Sequence, residues 1–142
     1  MPANAHVDAV RSAVQALNAG DVDTYLGAFE PSCLRWVPGV PDGLPLADIA
    51  ESLTTLREAF SDFQLEEIVL FEGDGHVCAR WRTVGRHTGE YLGVPATGRS
   101  VSIENCEVYQ FDGDRVVASW VYGDPLDLFR QLGALPGTGA EQ

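Results

Sequence analysis

The sequence contains no lysine, so its nine basic residues are all arginines. Without a lysine amine, covalent catalysis through a Schiff base to a carbonyl substrate is excluded. The arginines stand against 21 acidic residues, and the formal net charge is -12. Binding to nucleic acid or to an anionic membrane surface depends largely on cationic side chains, so we expect neither as a partner.

Cysteine is also scarce. Cys33, Cys78 and Cys106 are widely separated and form no CxxC pair. An odd number of isolated cysteines does not suit a disulfide framework, and we expect reduced thiols that pack as small apolar side chains.

The sequence shows neither a signal peptide nor a membrane-spanning run, so we expect a cytoplasmic protein.

Patterns typical of metal and nucleotide sites are missing as well. The three histidines include no pair at ligand spacing, and the acids form no cage pattern. The glycines between Gly39 and Gly43 stand among prolines and open no strand-to-helix unit, which disfavours a phosphate-binding loop. We therefore predict neither a metal ion nor an organic cofactor.

The remaining composition is that of an ordinary globular protein, with 45% hydrophobic and 21% charged residues among 142. This length suits one domain, which we place at residues 1–134, followed by a flexible tail at 135–142. Apolar residues at helical spacing predict three N-terminal helices and a short C-terminal one, at Asn4–Ala19, Val22–Phe29, Pro45–Phe60 and Asp124–Leu132.

Alternating apolar and polar residues predict the strands. A short strand precedes the third helix and four longer ones follow it, at Cys33–Val37, Phe63–Phe71, Val77–Tyr91, Arg99–Phe111 and Arg115–Tyr122. Helices followed by a long sheet indicate an α+β fold, in which three N-terminal helices pack inside a strongly curved, mostly antiparallel sheet. An apolar, cone-shaped cavity is the expected result.

Four segments of the second half carry a resemblance to a known family. They read GRHTG at 85–89, GVPATGR at 93–99, VASW at 117–120 and RQLG at 130–133. These segments resemble the SnoaL-like polyketide cyclases of the ketosteroid-isomerase-like superfold. The resemblance implies a cofactor-free enzyme of polyketide or related antibiotic biosynthesis, a hydrophobic polycyclic substrate and a homodimer.

One position departs from the family pattern. The last strand of the cyclases usually reads His-Trp-Asp, and its Asp is the general acid/base for aldol ring closure. The matching residues here are Ser119, Trp120 and Val121. Because valine cannot transfer a proton, another residue must do so in this chain if the reaction uses acid/base catalysis.

Side-chain alternation along the strands suggests which residues those are. It places His87, Asn105 and Glu107 on the inner face of adjacent strands, where we predict a catalytic polar cluster. Burial would raise the pKa of Glu107 and suit a general acid, His87 could act as acid or base, and Asn105 could orient a carbonyl. The alternatives are structural: His87 anchors the hairpin, Glu107 pairs with an arginine or histidine, and Asn105 bonds across strands.

Asp124 is the acid nearest to the position of Val121 in the sequence. It could take over part of the missing role, or it could simply cap the last helix. A further set of residues is predicted to line the substrate pocket, although its aromatic members could equally be core: Trp36, Trp81, Tyr91, Tyr109, Ser119 and Val121.

These observations leave three functional hypotheses. The first is cyclisation or rearrangement of a polyketide-like molecule in an apolar cavity with acid/base assistance. The second is a cofactor-independent hydroxylase or epoxide hydrolase of the same fold. The third is a non-catalytic ligand-binding or dimerisation module, because this superfold hosts all three kinds of protein.

Overall fold

The structure is a computed structural model that describes residues 4–135. All of the predicted tail except Leu135 lies outside these residues, and the domain boundary at 134 stays a prediction. The elements follow the order α1 (Ala5–Asn18), α2 (Val22–Leu26), β1 (Phe29–Trp36), β2 (Leu44–Pro45), α3 (Leu46–Ala59), β3 (Phe60–Gly73), β4 (His76–His87), β5 (Ser100–Asp112), β6 (Arg115–Tyr122) and α4 (Pro125–Gln131). In the described part of the chain, no helix combines the length and hydropathy needed to cross a bilayer.

The strands form one six-stranded sheet in the order β2-β1-β6-β5-β4-β3. Neighbouring strands are antiparallel except β1 and β6, which run parallel. Helices α1 and α3 pack against the inner face of the curled sheet. The predicted α+β class, with three N-terminal helices, a mostly antiparallel sheet and a short C-terminal helix, is therefore confirmed.

Strand register divides the sheet into an inner and an outer face. Ala79, Glu107 and Val121 are aligned across β4, β5 and β6, and all three side chains belong to the inner face. One residue further along, Cys78 and Val108 are aligned on the outer face. The core lies between the inner face and the helices, and its largest fully buried side chains include Trp81, Tyr25, Tyr109, Leu17 and Ile49.

The boundary between α2 and β1 differs from the prediction. Helix α2 ends at Leu26 with Gly27 as its C-cap, and Phe29 already belongs to β1. Pro31 therefore does not end the helix; it lies in β1, where pairing with β6 is interrupted between Phe29 and Leu34. Proline has no N–H to donate to a neighbouring strand, which suits this irregular segment.

Two further differences concern the loops. The short strand β2, which pairs with β1, was not predicted, because two residues are too few to show an alternating pattern. Strand β4 ends at His87, so the residues up to Ser100 form a loop instead of continuing the strand to Tyr91. This loop, residues 88–99, is called the hairpin loop below.

Candidate functional site

A pocket of about 400 Å³ opens beside the inner face of β5 and β6, next to α4. This volume falls in the usual range for small-molecule sites. We call it the main pocket, and the residues that line it are Val37, Pro38, Thr83, Tyr91, Leu92, Ile103, Asn105, Val121, Gly123, Asp124, Pro125, Leu128 and Phe129. Four predicted site residues are among them, namely Tyr91, Asn105, Val121 and Asp124.

Asn105 supplies an oriented amide on the wall of the main pocket. The hydroxyl of Thr83, on the neighbouring strand β4, donates a hydrogen bond to Asn105 Oδ1 over 3.1 Å. This bond engages the acceptor end of the amide, so that the Nδ2 group remains to donate to a ligand. The predicted cross-strand bond of Asn105 is therefore present, and it leaves a hydrogen-bond donor for a substrate carbonyl.

Asp124 places a carboxylate at the mouth of the main pocket. It is the N-cap of α4, as the sequence suggested, because its Oδ1 accepts a hydrogen bond from the Leu126 N–H over 3.0 Å. Its Oδ2 lies 3.9 Å from an Arg130 nitrogen, and 61% of the side chain is exposed. Among the described residues that line this pocket, Asp124 is the only one with a carboxyl group.

Tyr91 and Leu92 reach the pocket from the hairpin loop. Tyr91 and Val94 exchange two backbone hydrogen bonds of 3.0 and 2.9 Å, and the turn between them has positive φ at Leu92 (46°) and Gly93 (86°). Such a turn favours glycine at its second position. The Tyr91 ring stacks on Phe129, with centroids 6.3 Å apart, and burial raises the pKa of its hydroxyl, which stays neutral at physiological pH.

His87 anchors the two ends of the hairpin loop. Its Nδ1 accepts a hydrogen bond from the Thr97 N–H over 3.1 Å and lies 2.9 Å from the Thr97 hydroxyl, so the ring proton resides on Nε2. The backbone of His87 also bonds to Gly98 and Arg99. The ring is fully buried and is not among the pocket residues. The contacts of His87 are therefore those of the structural alternative, in which this residue anchors the hairpin.

Glu107 lies deeper than Asn105 and belongs to a buried network around Arg35. The two charged groups are 3.1 Å apart, and both side chains are about nine-tenths buried, at 11% and 8% exposure. Arg35 also donates to the Tyr25 hydroxyl over 2.6 Å and to Ser119 Oγ over 3.3 Å, while the Tyr109 hydroxyl donates to Glu107 over 3.1 Å. We call this set the buried arginine network.

The network holds fixed charges and neutral phenols. Burial disfavours the arginine cation, but the Glu107 carboxylate and the tyrosines outweigh this effect, and the pKa of Arg35 is raised. Burial raises the pKa of Tyr25 to about 12, although Arg35 opposes the shift. Burial and the nearby Glu107 charge also hold the pKa of Tyr109 well above its usual range. Both tyrosines of the network therefore stay protonated at neutral pH, and Arg35 stays cationic.

The predicted cluster of His87, Asn105 and Glu107 is not formed, because the three side chains have different partners. Alternation identified the inner face correctly for each of them, but it does not show how far along the cone each one lies. Asn105 lies at the pocket, whereas Glu107 lies one pleat deeper and faces Arg35. His87 lies at the base of the hairpin loop.

Several residues predicted to line the pocket lie elsewhere. Trp81, Tyr109 and Ser119 are buried in the core and do not reach the main pocket. Trp36 stacks on Trp120 with centroids 5.5 Å apart. Because Arg35, its neighbour in β1, faces inward, Trp36 faces the outer side of the sheet. The sequence prediction lacked the register of β1 and therefore did not fix this direction.

Sequence reasoning also missed residues that shape the site. Arg35 was not considered as the partner of Glu107, although its place two residues after the buried Cys33 puts both on one face of β1. Thr83 and Ile103 share the strand parity of His87 and Asn105, respectively, but they were not assigned to a site. Within residues 4–135, no group of three or more histidine, cysteine or acidic side chains is arranged to hold a metal ion.

Comparisons with known proteins agree with this architecture. The sequence profile of the SnoaL-like polyketide cyclase family matches residues 7–132. The aklanonic acid methyl ester cyclase DnrD of Streptomyces peucetius is 33% identical over 135 residues, which cover 89% of this chain and 90% of that protein. The cyclase AcmA of Streptomyces galilaeus, of the same description, is 30% identical over 131 residues, covering 89% and 90%.

Solved structures show the same fold. AclR of Streptomyces galilaeus, described as a candidate hydroxylase, superposes with a TM-score of 0.84 at 26% identity and covers 92% of this chain and 97% of its own. IdmH of Streptomyces antibioticus, described as a candidate polyketide cyclase, has a TM-score of 0.81 at 21% identity, covering 90% and 98%. The profile match spans most of the chain, and the chain belongs to the SnoaL-like polyketide cyclase family.

Proposed function

We propose that the protein closes a ring in a polyketide-like substrate by an intramolecular aldol addition in the main pocket. The observation that carries this proposal is that the Asn105 amide and the Asp124 carboxylate both line the main pocket, whose other lining residues are mostly apolar. Relatives that share about a third of their residues are named as cyclases of aklanonic acid methyl ester. A related polycyclic ester is therefore the proposed substrate class.

In this mechanism Asn105 polarises the carbonyl that is attacked. Its Nδ2 group donates a hydrogen bond to the carbonyl oxygen and stabilises the negative charge that develops there. Thr83 holds the amide in this orientation through its bond to Oδ1. A donor fixed before the substrate arrives does not need to reorganise during the reaction, which favours the transition state.

Asp124 is the proposed base. The family's acid/base position is occupied by Val121, which lines the same pocket and cannot move a proton. The Asp124 carboxylate removes a proton from the carbon next to one carbonyl. The resulting enolate carbon then bonds to the carbonyl carbon held by Asn105, and the alkoxide oxygen takes up the proton. Atoms are conserved, so the product is an isomer of the substrate.

The remaining predicted residues act indirectly in this proposal. His87 fixes the hairpin loop that brings Tyr91 to the pocket. The Arg35–Glu107 pair joins β1 to β5, and the hydrogen bond from Arg35 to Ser119 joins β1 to β6. We propose both as positioning groups rather than as groups that touch the reacting atoms.

The test is mass spectrometry of reactions between the purified protein and a panel of polycyclic esters that includes aklanonic acid methyl ester. The proposal expects a product of unchanged mass and altered retention time, and it expects Asn105→Leu to reduce the turnover number by about a hundredfold. Conversion that is equally fast with and without protein would contradict it. So would binding of the esters without any conversion, which would favour the non-catalytic hypothesis.

A second candidate is hydroxylation, because AclR, described as a candidate hydroxylase, is 26% identical over nearly the whole chain. This reaction inserts one oxygen atom of O₂ and needs an external reductant to convert the other atom to water. The same experiment separates the two candidates. A product about 16 Da heavier than the substrate, dependent on air, would replace the cyclisation proposal.

We also propose that the protein is a cytoplasmic homodimer that associates through the outer face of the sheet. This face carries large apolar side chains that are unusually exposed: Phe71 (57%), Tyr122 (57%), Val69 (42%) and Leu34 (38%). Exposed apolar patches of this kind often mark protein contacts. Sedimentation velocity should show a dimer for the wild type and a monomer for Phe71→Asp, and a wild-type monomer would refute the proposal.

A further inference from the structure

A second, smaller cavity of about 30 Å³ lies behind the main pocket. The two share three lining residues, Thr83, Ile103 and Leu128. We call it the inner cavity, and its other lining residues are Leu56, Phe60, Phe63, Val84 and Val101. Because the walls are shared, a ligand in the main pocket has the inner cavity directly beside it.

The lining of the inner cavity is apolar apart from Thr83. The volume exceeds the roughly 10–15 Å³ that one water molecule needs, but a buried water also needs two to four polar partners. Thr83 is the single polar side chain of the lining, and its hydroxyl already donates to Asn105. The cavity therefore suits a small apolar group and not an ordered water.

We infer that the inner cavity is a binding subsite for a short alkyl branch, of about two carbons, on the polycyclic substrate. This inference rests on the proposed function and adds to it the substituent that the substrate carries. The ring system occupies the main pocket, while the alkyl branch enters between Ile103 and Leu128. Neither side chain of this passage is charged, so a carboxylate or ammonium branch would lose its hydration without gaining a partner.

The subsite also determines which carbonyl reacts. Thr83 lines the inner cavity and also donates a hydrogen bond of 3.1 Å to the Asn105 amide. One side chain therefore connects the alkyl subsite to the residue that binds the carbonyl. A substrate anchored by its branch presents a carbonyl at a fixed distance from that branch to Asn105. Substrates without the branch bind in several orientations, and fewer of these place a carbonyl at the donor.

The inference can be tested by binding alone. The probes are anthraquinone, 2-ethylanthraquinone and 2-tert-butylanthraquinone, titrated into the wild-type protein while its intrinsic fluorescence is followed. Each buried methylene or methyl strengthens binding about fourfold, so the two carbons of the ethyl group should make it bind roughly fifteenfold more tightly than anthraquinone. The bulky tert-butyl group should lose this advantage, because it exceeds the space available.

Two substitutions change the size of the inner cavity in opposite directions. Val101→Ile adds a methylene to its wall and should reduce the ethyl-to-parent affinity ratio to about fourfold or less. Phe63→Leu enlarges it and should raise the affinity for the tert-butyl compound relative to the ethyl one. Val14→Ile is the matched control, because it adds the same methylene beside a different apolar cavity, and should leave both ratios unchanged.

Failure of the inference differs from failure of the proposed function. Equal affinities across the series, or a ratio that Val101→Ile leaves unchanged, would overturn the alkyl subsite while a polycyclic ligand still binds. If none of the three anthraquinones binds, the main pocket does not take flat polycyclic molecules, and the proposed function falls together with the subsite. An alkyl preference in a protein that converts no ester would retain the subsite and refute the cyclisation.

Discussion

Replacing Glu107 by Gln tests whether this acid is part of the buried arginine network or of the chemistry. The substitution keeps the size of the side chain and removes its charge, so Arg35 remains buried without its counter-ion. Removing one partner of a buried ion pair costs about 3–5 kcal/mol, because the remaining charge has already lost its hydration. Both side chains here are about nine-tenths buried and 3.1 Å apart, which fits that case.

This loss should be visible in both chemical and thermal unfolding. For a domain of this size, 1 kcal/mol corresponds to roughly 3–4 °C, so we expect Tm to fall by about 10–15 °C. The matched control is Glu104→Gln on the same strand, where the carboxylate is 46% exposed and pairs with Arg80 at the surface. Exposed pairs contribute about 0–1 kcal/mol, so this variant should unfold close to the wild type.

A double mutant completes the test. Arg35→Met combined with Glu107→Leu removes both charges and should recover part of the stability lost in Glu107→Gln, because no unpaired ion remains. If Glu107→Gln unfolded at the same guanidinium concentration as the wild type, the buried ion pair would not carry this stability. Loss of turnover with unchanged stability would instead return Glu107 to the catalytic role that the sequence suggested.

Further predictions concern pH, the hairpin loop and the thiols. The pKa of Tyr25 is about 12 in the folded protein and about 10 in an unfolded chain. Its neutral form therefore contributes fully to the free energy of unfolding below pH 10, and this contribution is lost as the pH rises towards 12. Up to about 3 kcal/mol of it should be lost as the pH rises from 10 to 12, which guanidinium unfolding at pH 9 and 11 would detect; equal stabilities would contradict the shift. Gly89→Ala places a Cβ 2.5 Å from the Glu58 carbonyl oxygen and should lower the free energy of unfolding by about 1–3 kcal/mol. Gly73→Ala is the control and should cost little, because the space around Gly73 is open. Equal Tm values for the two variants would disprove this packing. Burial and the neighbouring Cys78 raise the pKa of Cys106 to about 11. Alkylation of Cys106 by iodoacetamide at pH 8 should therefore be far slower than alkylation of a free thiol. Equal rates would show that the Cys106 thiolate is exposed.

The fold was predictable because its elements are long and regular in pattern. The heptad-like spacing of Val7, Val10, Val14 and Leu17 and the alternation along β5 each repeat over more than ten residues, which leaves few alternatives. The end of α2 and the two-residue strand β2 were missed, because segments this short are too brief to show a periodic pattern. Strand β2 depends on its pairing with Leu34 and Arg35 of β1, and β1 begins at Phe29, where it pairs with the distant Val116 of β6.

The site was only partly predictable for a related reason. Alternation placed Asn105 and Glu107 on the inner face correctly, but their surroundings depend on the parallel pairing of β1 with β6. That pairing brings Arg35 opposite Ser119 and beside Glu107, and nothing in the local sequence of any of these strands indicates it. Asp124 was easier to place, because an aspartate before a proline at the start of a helix is a local capping signal.

The assignment of the base can be tested most directly by comparing the turnover of Asp124→Asn and Asp127→Asn. Asparagine caps a helix as well as aspartate does, so Asp124→Asn should keep α4 intact and remove only the carboxylate at the pocket. Asp127, in the same helix and outside the pocket lining, provides the matched charge removal. We expect Asp124→Asn to slow ring closure by about a hundredfold or more and Asp127→Asn to keep near wild-type turnover. Equal turnover in the two variants would contradict Asp124 as the base and the reaction proposed for this pocket.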